Sequence, residues 1–188
     1  MTAMLRRRPV TSAVVAATLL FALFVTVLGG RLGKSATFDP VAVLGRPVPA
    51  DQMPLMGGTG RLDLGELQGH AVLVNFWNSW CQPCREEAPA LATFYARHAQ
   101  DSDFRMIGIL HDDNASTAAK WAASHGMTWQ LALDPDSHAA LDFGTTGQPE
   151  TYAISASGVI VGKRAGASTT DDLERLLAMA RAQAGGTS

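Results

Sequence analysis

Residues 10–28 form an apolar run of Val, Ala, Leu and Phe, broken only by Thr and Ser. As a helix, about 18–19 such residues reach across the hydrocarbon of a bilayer. Arg6, Arg7 and Arg8 precede the run and predict an N-terminus kept in the cytoplasm. No polar face recurs at helical spacing, which argues against a core helix. Gly29-Gly30-Arg31 offers no Ala-x-Ala signal for cleavage, so the run is expected to stay as an anchor. The polar stretch that follows carries Gly and Pro and reads as a tether. The expected organisation is a basic cytoplasmic N-terminus at 1–9, a transmembrane anchor at 10–28 and a linker at 29–43. A folded domain at 44–184, outside the inner face of the membrane, and a tail at 185–188 complete it.

Within the domain, 71–77 is almost continuously apolar, the pattern of a strand buried on both faces. A short helical turn capped by Asp63 precedes it. A helix is predicted over 82–98, with Pro83 suited to its first turn and Pro89 inside it as a source of a kink. Further strands are predicted at 104–110, 128–133, 150–155 and 159–164. Helices are predicted at 115–125, 137–143 and 171–184. The last is amphipathic, with Leu173, Leu176, Leu177 and Ala180 on one stripe and Asp171 and Glu174 spaced like a capping box. Alternating strands and helices make an α/β domain of three layers around a central mixed sheet.

The chain has 188 residues and a formal net charge of −2, without the basic excess of a nucleic-acid binder. Its only two cysteines, Cys81 and Cys84, lie in Asn75-Phe-Trp-Asn-Ser-Trp-Cys-Gln-Pro-Cys-Arg-Glu-Glu-Ala-Pro89. Two cysteines cannot be a disulfide framework. They also fall short of the four ligands of a structural zinc site, and the five histidines are scattered. Arg85 stands where haem attachment would need His. Thiol–disulfide exchange fits the pair. It follows a buried strand and opens a helix, whose unpaired N–H groups stabilise a thiolate. Cys81 is expected to attack and Cys84, deeper in the helix, to resolve. A peroxidatic cysteine would want Pro and Thr upstream, and residues 75–80 contain neither.

From residue 44 to 181 the chain resembles the thioredoxin fold, in particular the membrane-tethered TlpA-like group that includes CcmG/DsbE and ResA. The resemblance rests on residues 75–89, on Phe143-Gly-Thr-Thr-Gly-Gln-Pro-Glu-Thr-Tyr152, and on Leu44-Gly-Arg-Pro with a later Leu-Gln-Gly-His. It implies that Pro149 is the cis-proline of the fold, placed beside the cysteines to meet an incoming peptide strand. It implies that Glu87 lies near the active site and tunes proton movement, since the buried Asp of thioredoxin is Asn75 here. Glu150 is a second carboxylate for that task or a contact for substrate. Trp80, Gln82, Pro83, Gln148 and Glu150 are expected to form the face that meets substrate. The implied substrate is the oxidised Cys-x-x-Cys-His of apocytochrome c. The implied electron donor is a membrane thiol carrier of the DsbD/CcdA kind. No cofactor beyond the redox-active disulfide, no metal and no nucleic acid are expected, and the chain is read as a monomer. An oxidant of secreted thiols and a non-catalytic tethered binding domain remain open as alternatives.

Overall fold

The computed structural model describes residues 9–32 and 43–182, with side chains of the first helix described over 13–26. Two compact units divide the chain at residues 39 and 40. Residues 1–8, 33–42 and 183–188 lie outside the described residues, and with them most of the expected N-terminal segment 1–9 and linker 29–43 and all of the tail 185–188; the first helix itself takes in Pro9 and residues 29–32.

The first unit contains helix α1 (Pro9–Leu32). Val14, Val15, Leu19, Leu20, Phe21, Leu23, Phe24 and Val25 are all exposed on it, so its described stretch 13–26 presents large apolar side chains to every side. Its polar interruptions turn inward. Thr18 Oγ1 donates to the Val14 carbonyl and Thr26 Oγ1 to those of Ala22 and Leu23, each at 2.9 Å. Among the described residues, no helix is long and apolar enough to cross a membrane. The span expected at 10–28 runs beyond the side chains described.

The second unit runs β1 (Gln52–Pro54), β2 (Arg61–Asp63), a 3-10 turn (Leu64–Leu67), β3 (Ala71–Trp77), α2 (Gln82–His98), β4 (Phe104–His111), α3 (Ala115–Ser124), β5 (Gln130–Asp134), α4 (His138–Asp142), β6 (Glu150–Ile154), β7 (Ile160–Ala165) and α5 (Thr170–Ala182). Five strands form one sheet in the order β5-β4-β3-β6-β7. β3, β4 and β5 are parallel, while β6 and β7 are antiparallel to their neighbours. Every residue of β3 is buried, as a central strand covered on both faces requires. Leu73 and Trp77 pack with Leu91 and Phe94 of α2, Ala118 and Ala122 of α3, and Leu173, Leu176, Leu177 and Ala180 of α5. Val72, Val74 and Phe76 face the other way, toward Ala139, Ala140, Phe143, Met53 and Leu62. Helices α2, α3 and α5 thus cover one face; α4 and the small β1–β2 hairpin cover the other.

The hairpin has no counterpart among the predicted elements. Its strands are three residues each, and Pro54, Gly57, Gly58 and Gly60 hide them in a turn-rich stretch. The predicted cap of α5 is also corrected. Thr169 Oγ1 accepts from Asp172 N–H, and Asp172 Oδ2 accepts from Thr169 N–H, so the box closes two residues earlier than Asp171 and Glu174 suggested.

Candidate active site

Helix α2 begins directly after the loop that leaves β3, at the C-terminal end of the parallel strands. Pro83 lies in its first turn, where no N–H is needed. Cys81 is the N-cap, and its Sγ accepts from Cys84 N–H at 3.1 Å. A thiolate at Cys81 inherits that bond and the positive end of the helix, both of which favour the charged sulfur. Cys81 and Cys84 form a disulfide. Cys81 is 6% exposed and Cys84 2%, so both sulfurs are buried.

Around this pair the expected residues fall into three groups. Trp80, Gln82 and Pro83 are exposed beside the disulfide. Trp80 is 60% exposed, yet its Nε1 donates to the Asp112 carbonyl at 3.0 Å, so the ring is held rather than free. Gln82 Nε2 reaches Glu86 along the outer face of α2.

Pro149 and Gln148 form the second group, joined by a cis peptide bond. Glu150 pairs with Phe76 in the sheet, which sets Pro149 at the end of β6 adjoining the loop to Cys81. The Pro149 carbonyl accepts from Gly166 N–H at 2.9 Å and is not open to an incoming strand. Among the described residues, Gly147 and Gln148 make no backbone bond of that kind.

Glu87 and Glu150 form the third group, and burial separates them from ordinary helix charges. Glu87 is 1% exposed, while its neighbour Glu86 faces solvent. Glu87 Oε1 accepts from Asn75 Nδ2 at 2.9 Å, and Oε2 accepts from Ser168 N–H at 2.9 Å. Burial pushes its carboxyl up to about 7; the bonds from Ser168 and Asn75 and the charge of Arg164 oppose that rise. It stands three residues after Cys84, on the neighbouring turn of the same helix.

Glu150 is 2% exposed and fully engaged. Oε2 pairs with Lys163 Nζ at 2.9 Å and accepts from the Tyr152 hydroxyl at 2.6 Å; Oε1 accepts from Thr146 Oγ1 at 2.6 Å. Burial and the neighbouring Glu150 carboxylate hold the Tyr152 phenol far above its ordinary range. No oxygen of Glu150 is left for a substrate or for the cysteines. The expectation that its side chain meets substrate is corrected: it anchors the 144–150 loop from inside.

Sequence reasoning missed three partners. Thr151 accepts from Asn75 Nδ2 at 3.1 Å and is its cross-strand neighbour. Ser168 belongs to the loop before α5 and nothing near Cys81 announces it. Lys163 is buried by its pairing with Glu150, whereas a lone lysine in an edge strand reads as solvated.

A disulfide capping a helix at the end of a central parallel strand, faced by a cis-proline before an antiparallel strand, defines a thiol:disulfide oxidoreductase of the thioredoxin fold. The chain belongs to the AhpC/TSA family, whose model matches residues 44–163. It is 35% identical over 128 residues to thiol:disulfide interchange protein DsbE of Pseudomonas fluorescens biotype C, covering 68% of this chain and 69% of that one. It is 32% identical over 151 residues to DsbE of Yersinia pestis, covering 79% and 78%. A solved thiol:disulfide interchange protein of the thioredoxin family from Chlorobium tepidum TLS superposes with a TM-score of 0.63 at 27% identity, over 71% of this chain and 94% of that one.

Proposed function

We propose that this chain is a membrane-tethered reductant acting outside the cytoplasm on the Cys-x-x-Cys-His disulfide of apocytochrome c. The observation that carries the reading is the Cys81–Cys84 disulfide at the start of α2 with the buried Glu87 one turn beyond Cys84, its carboxyl pushed up to about 7 by burial. A carboxylate poised near neutrality serves a dithiol that must give up a proton to react. The motif resemblance to the cytochrome c maturation group supports the substrate. The exposed apolar side chains of α1 within residues 13–26 and the arginines before the apolar run support the tether.

In the reaction, the Cys81 thiolate attacks one sulfur of the substrate disulfide. That S–S bond breaks, and the departing substrate sulfur takes a proton. The Cys84 thiol passes its proton to Glu87, and its sulfur then displaces the second substrate sulfur from Cys81, which leaves as a thiolate and takes up that proton. The substrate leaves as a dithiol with two electrons gained, and Cys81–Cys84 is left oxidised. A membrane thiol carrier of the DsbD/CcdA kind supplies the two electrons that restore it. Trp80, Gln82, Pro83 and the Gly147–Gln148 backbone form the docking face. The domain works as a monomer with no cofactor beyond its own disulfide.

The test is a trap. Cys84→Ser, reduced and mixed with an oxidised Cys-x-x-Cys-His peptide, is expected to accumulate a mixed disulfide through Cys81. Equal trapping of a peptide with unrelated residues around its disulfide would argue against the substrate.

A further inference from the structure

The loop from β3 to the active-site helix is only Asn78, Ser79 and Trp80 before Cys81, and each of the three is tied down from outside the loop. Asn78 Nδ2 donates to the His111 carbonyl at 3.3 Å, and Trp80 Nε1 donates to the Asp112 carbonyl at 3.0 Å. Ser79 between them is gripped at both ends of its backbone. Its N–H donates to Asp113 Oδ2 at 2.6 Å. Its carbonyl accepts from Arg85 Nε at 3.0 Å and Arg85 Nη2 at 2.8 Å. Both grips are charge-assisted, an anion on the donor side and a forked cation on the acceptor side. Asp113 Oδ1 also accepts from Asn114 N–H at 2.6 Å, which fixes the carboxylate against the start of α3. Asp112 itself holds φ at +52°, in the left-handed region that non-glycine residues seldom adopt.

We propose that Asp113 and Arg85 are a pair of positioning residues that clamp Ser79, and so hold the Trp80 ring and the Cys81 sulfur in one arrangement when the disulfide is open. The disulfide closes the short loop at its far end and restrains Cys81 by itself. Once it is reduced, that restraint is gone. The bonds to Ser79 then keep Cys81 at the N-cap and Trp80 on the Asp112 carbonyl. Arg85 sits one residue after the resolving cysteine, so the clamp spans the reacting pair: it ties the residue two before Cys81 to the residue following Cys84. This inference concerns the exchange reaction itself and does not depend on which disulfide is the substrate.

The experiment uses the full chain labelled with 5-fluorotryptophan, with the Trp80 fluorine resonance assigned by Trp80→Phe. Wild type, D113A, D113N, R85A and the double variant D113A/R85A are compared in both redox states. The pH profile of Cys81 alkylation by iodoacetamide is recorded alongside. Wild type is expected to give one sharp Trp80 resonance in both states. D113A and R85A are expected to keep it when oxidised, and to move it toward the solvent-exposed position when reduced. The alkylation midpoint should rise in both. The double variant should shift no further than the larger single one, because the two bonds grip the two peptide groups that flank one residue, Ser79, and losing either frees it. D113N, which keeps an acceptor for Ser79 N–H, should recover most of the change. An unmoved Trp80 resonance in the reduced single variants would overturn the clamp. So would additive shifts in the double variant, or a D113N as altered as D113A.

Discussion

Asn75 Nδ2 donates to Glu87 Oε1 at 2.9 Å, and the two side chains are 0% and 1% exposed. The amide stands in β3 where it can support a carboxylate on α2 without carrying charge itself. Asn75 Oδ1 and Ser168 Oγ are buried beside it with no partner.

The raised pKa makes stability depend on pH in a defined direction. Glu87 in the folded state holds its proton up to about 7, against a usual value of 4.5. Between these values the folded chain binds more protons than the unfolded one, so stability falls as pH rises through that window. The loss attributable to Glu87 is on the order of 3 kcal/mol by linkage. Urea unfolding at pH 4.5 and pH 8 is expected to show this fall in wild type and to show it much reduced in Glu87→Gln.

The same group should govern the resolving step. Removing a positioned proton acceptor typically slows a step about 100-fold or more. Stopped-flow decay of a preformed Cys81 mixed disulfide should accelerate in wild type as pH rises through about 7. Glu87→Gln should be slower and lack that inflection. Equal rates in the two proteins would remove Glu87 from the mechanism.

Lys163 and Glu150 are 5% and 2% exposed in their side chains, and their charged ends are 2.9 Å apart. Truncating one member of a buried pair strands the other, at about 3–5 kcal/mol. Lys163→Ala is expected to lose stability of that order in urea unfolding. Lys163→Met with Glu150→Gln should recover most of it, since neither replacement leaves a buried charge.

Gly108 lies where β4 passes beneath two indoles. A Cβ there would come within 2.6 Å of Leu131 Cδ2 and 3.1 Å of Nε1 of both Trp77 and Trp129. Overpacking of this kind costs about 1–3 kcal/mol. Gly108→Ala should lower the thermal midpoint, with a changed near-ultraviolet signal from the tryptophans.

The main elements were readable because their patterns are long and unambiguous. The apolar run at 71–77 fits only a strand covered on both faces. The stripe of Leu173, Leu176, Leu177 and Ala180 fits only a helix with one buried side, and all four are buried. Shorter devices were not readable. Asp171–Glu174 and Thr169–Asp172 share the same spacing, and only the actual start of α5 chooses between them. The cysteine pair was plain from its setting, but the partners of the site were not. Glu86 and Glu87 look alike in sequence. A rotation of about 100° along the helix puts one in water and the other against β3. Ser168 reaches Glu87 across 81 residues, a contact created by the packing of the loop before α5 on α2. Glu150 misled for a related reason: its place beside the cis-proline pointed to substrate, while its side chain is drawn inward by Lys163.

The central claim is that the Cys81–Cys84 pair works as a reductant. Its reduction potential, measured on the full chain in detergent against dithiothreitol or glutathione buffers, tests this most directly. A value at or below about −220 mV is expected, low enough to need a dedicated electron feed. A value near about −120 mV would contradict the account and make the protein an oxidant of thiols built on the same fold.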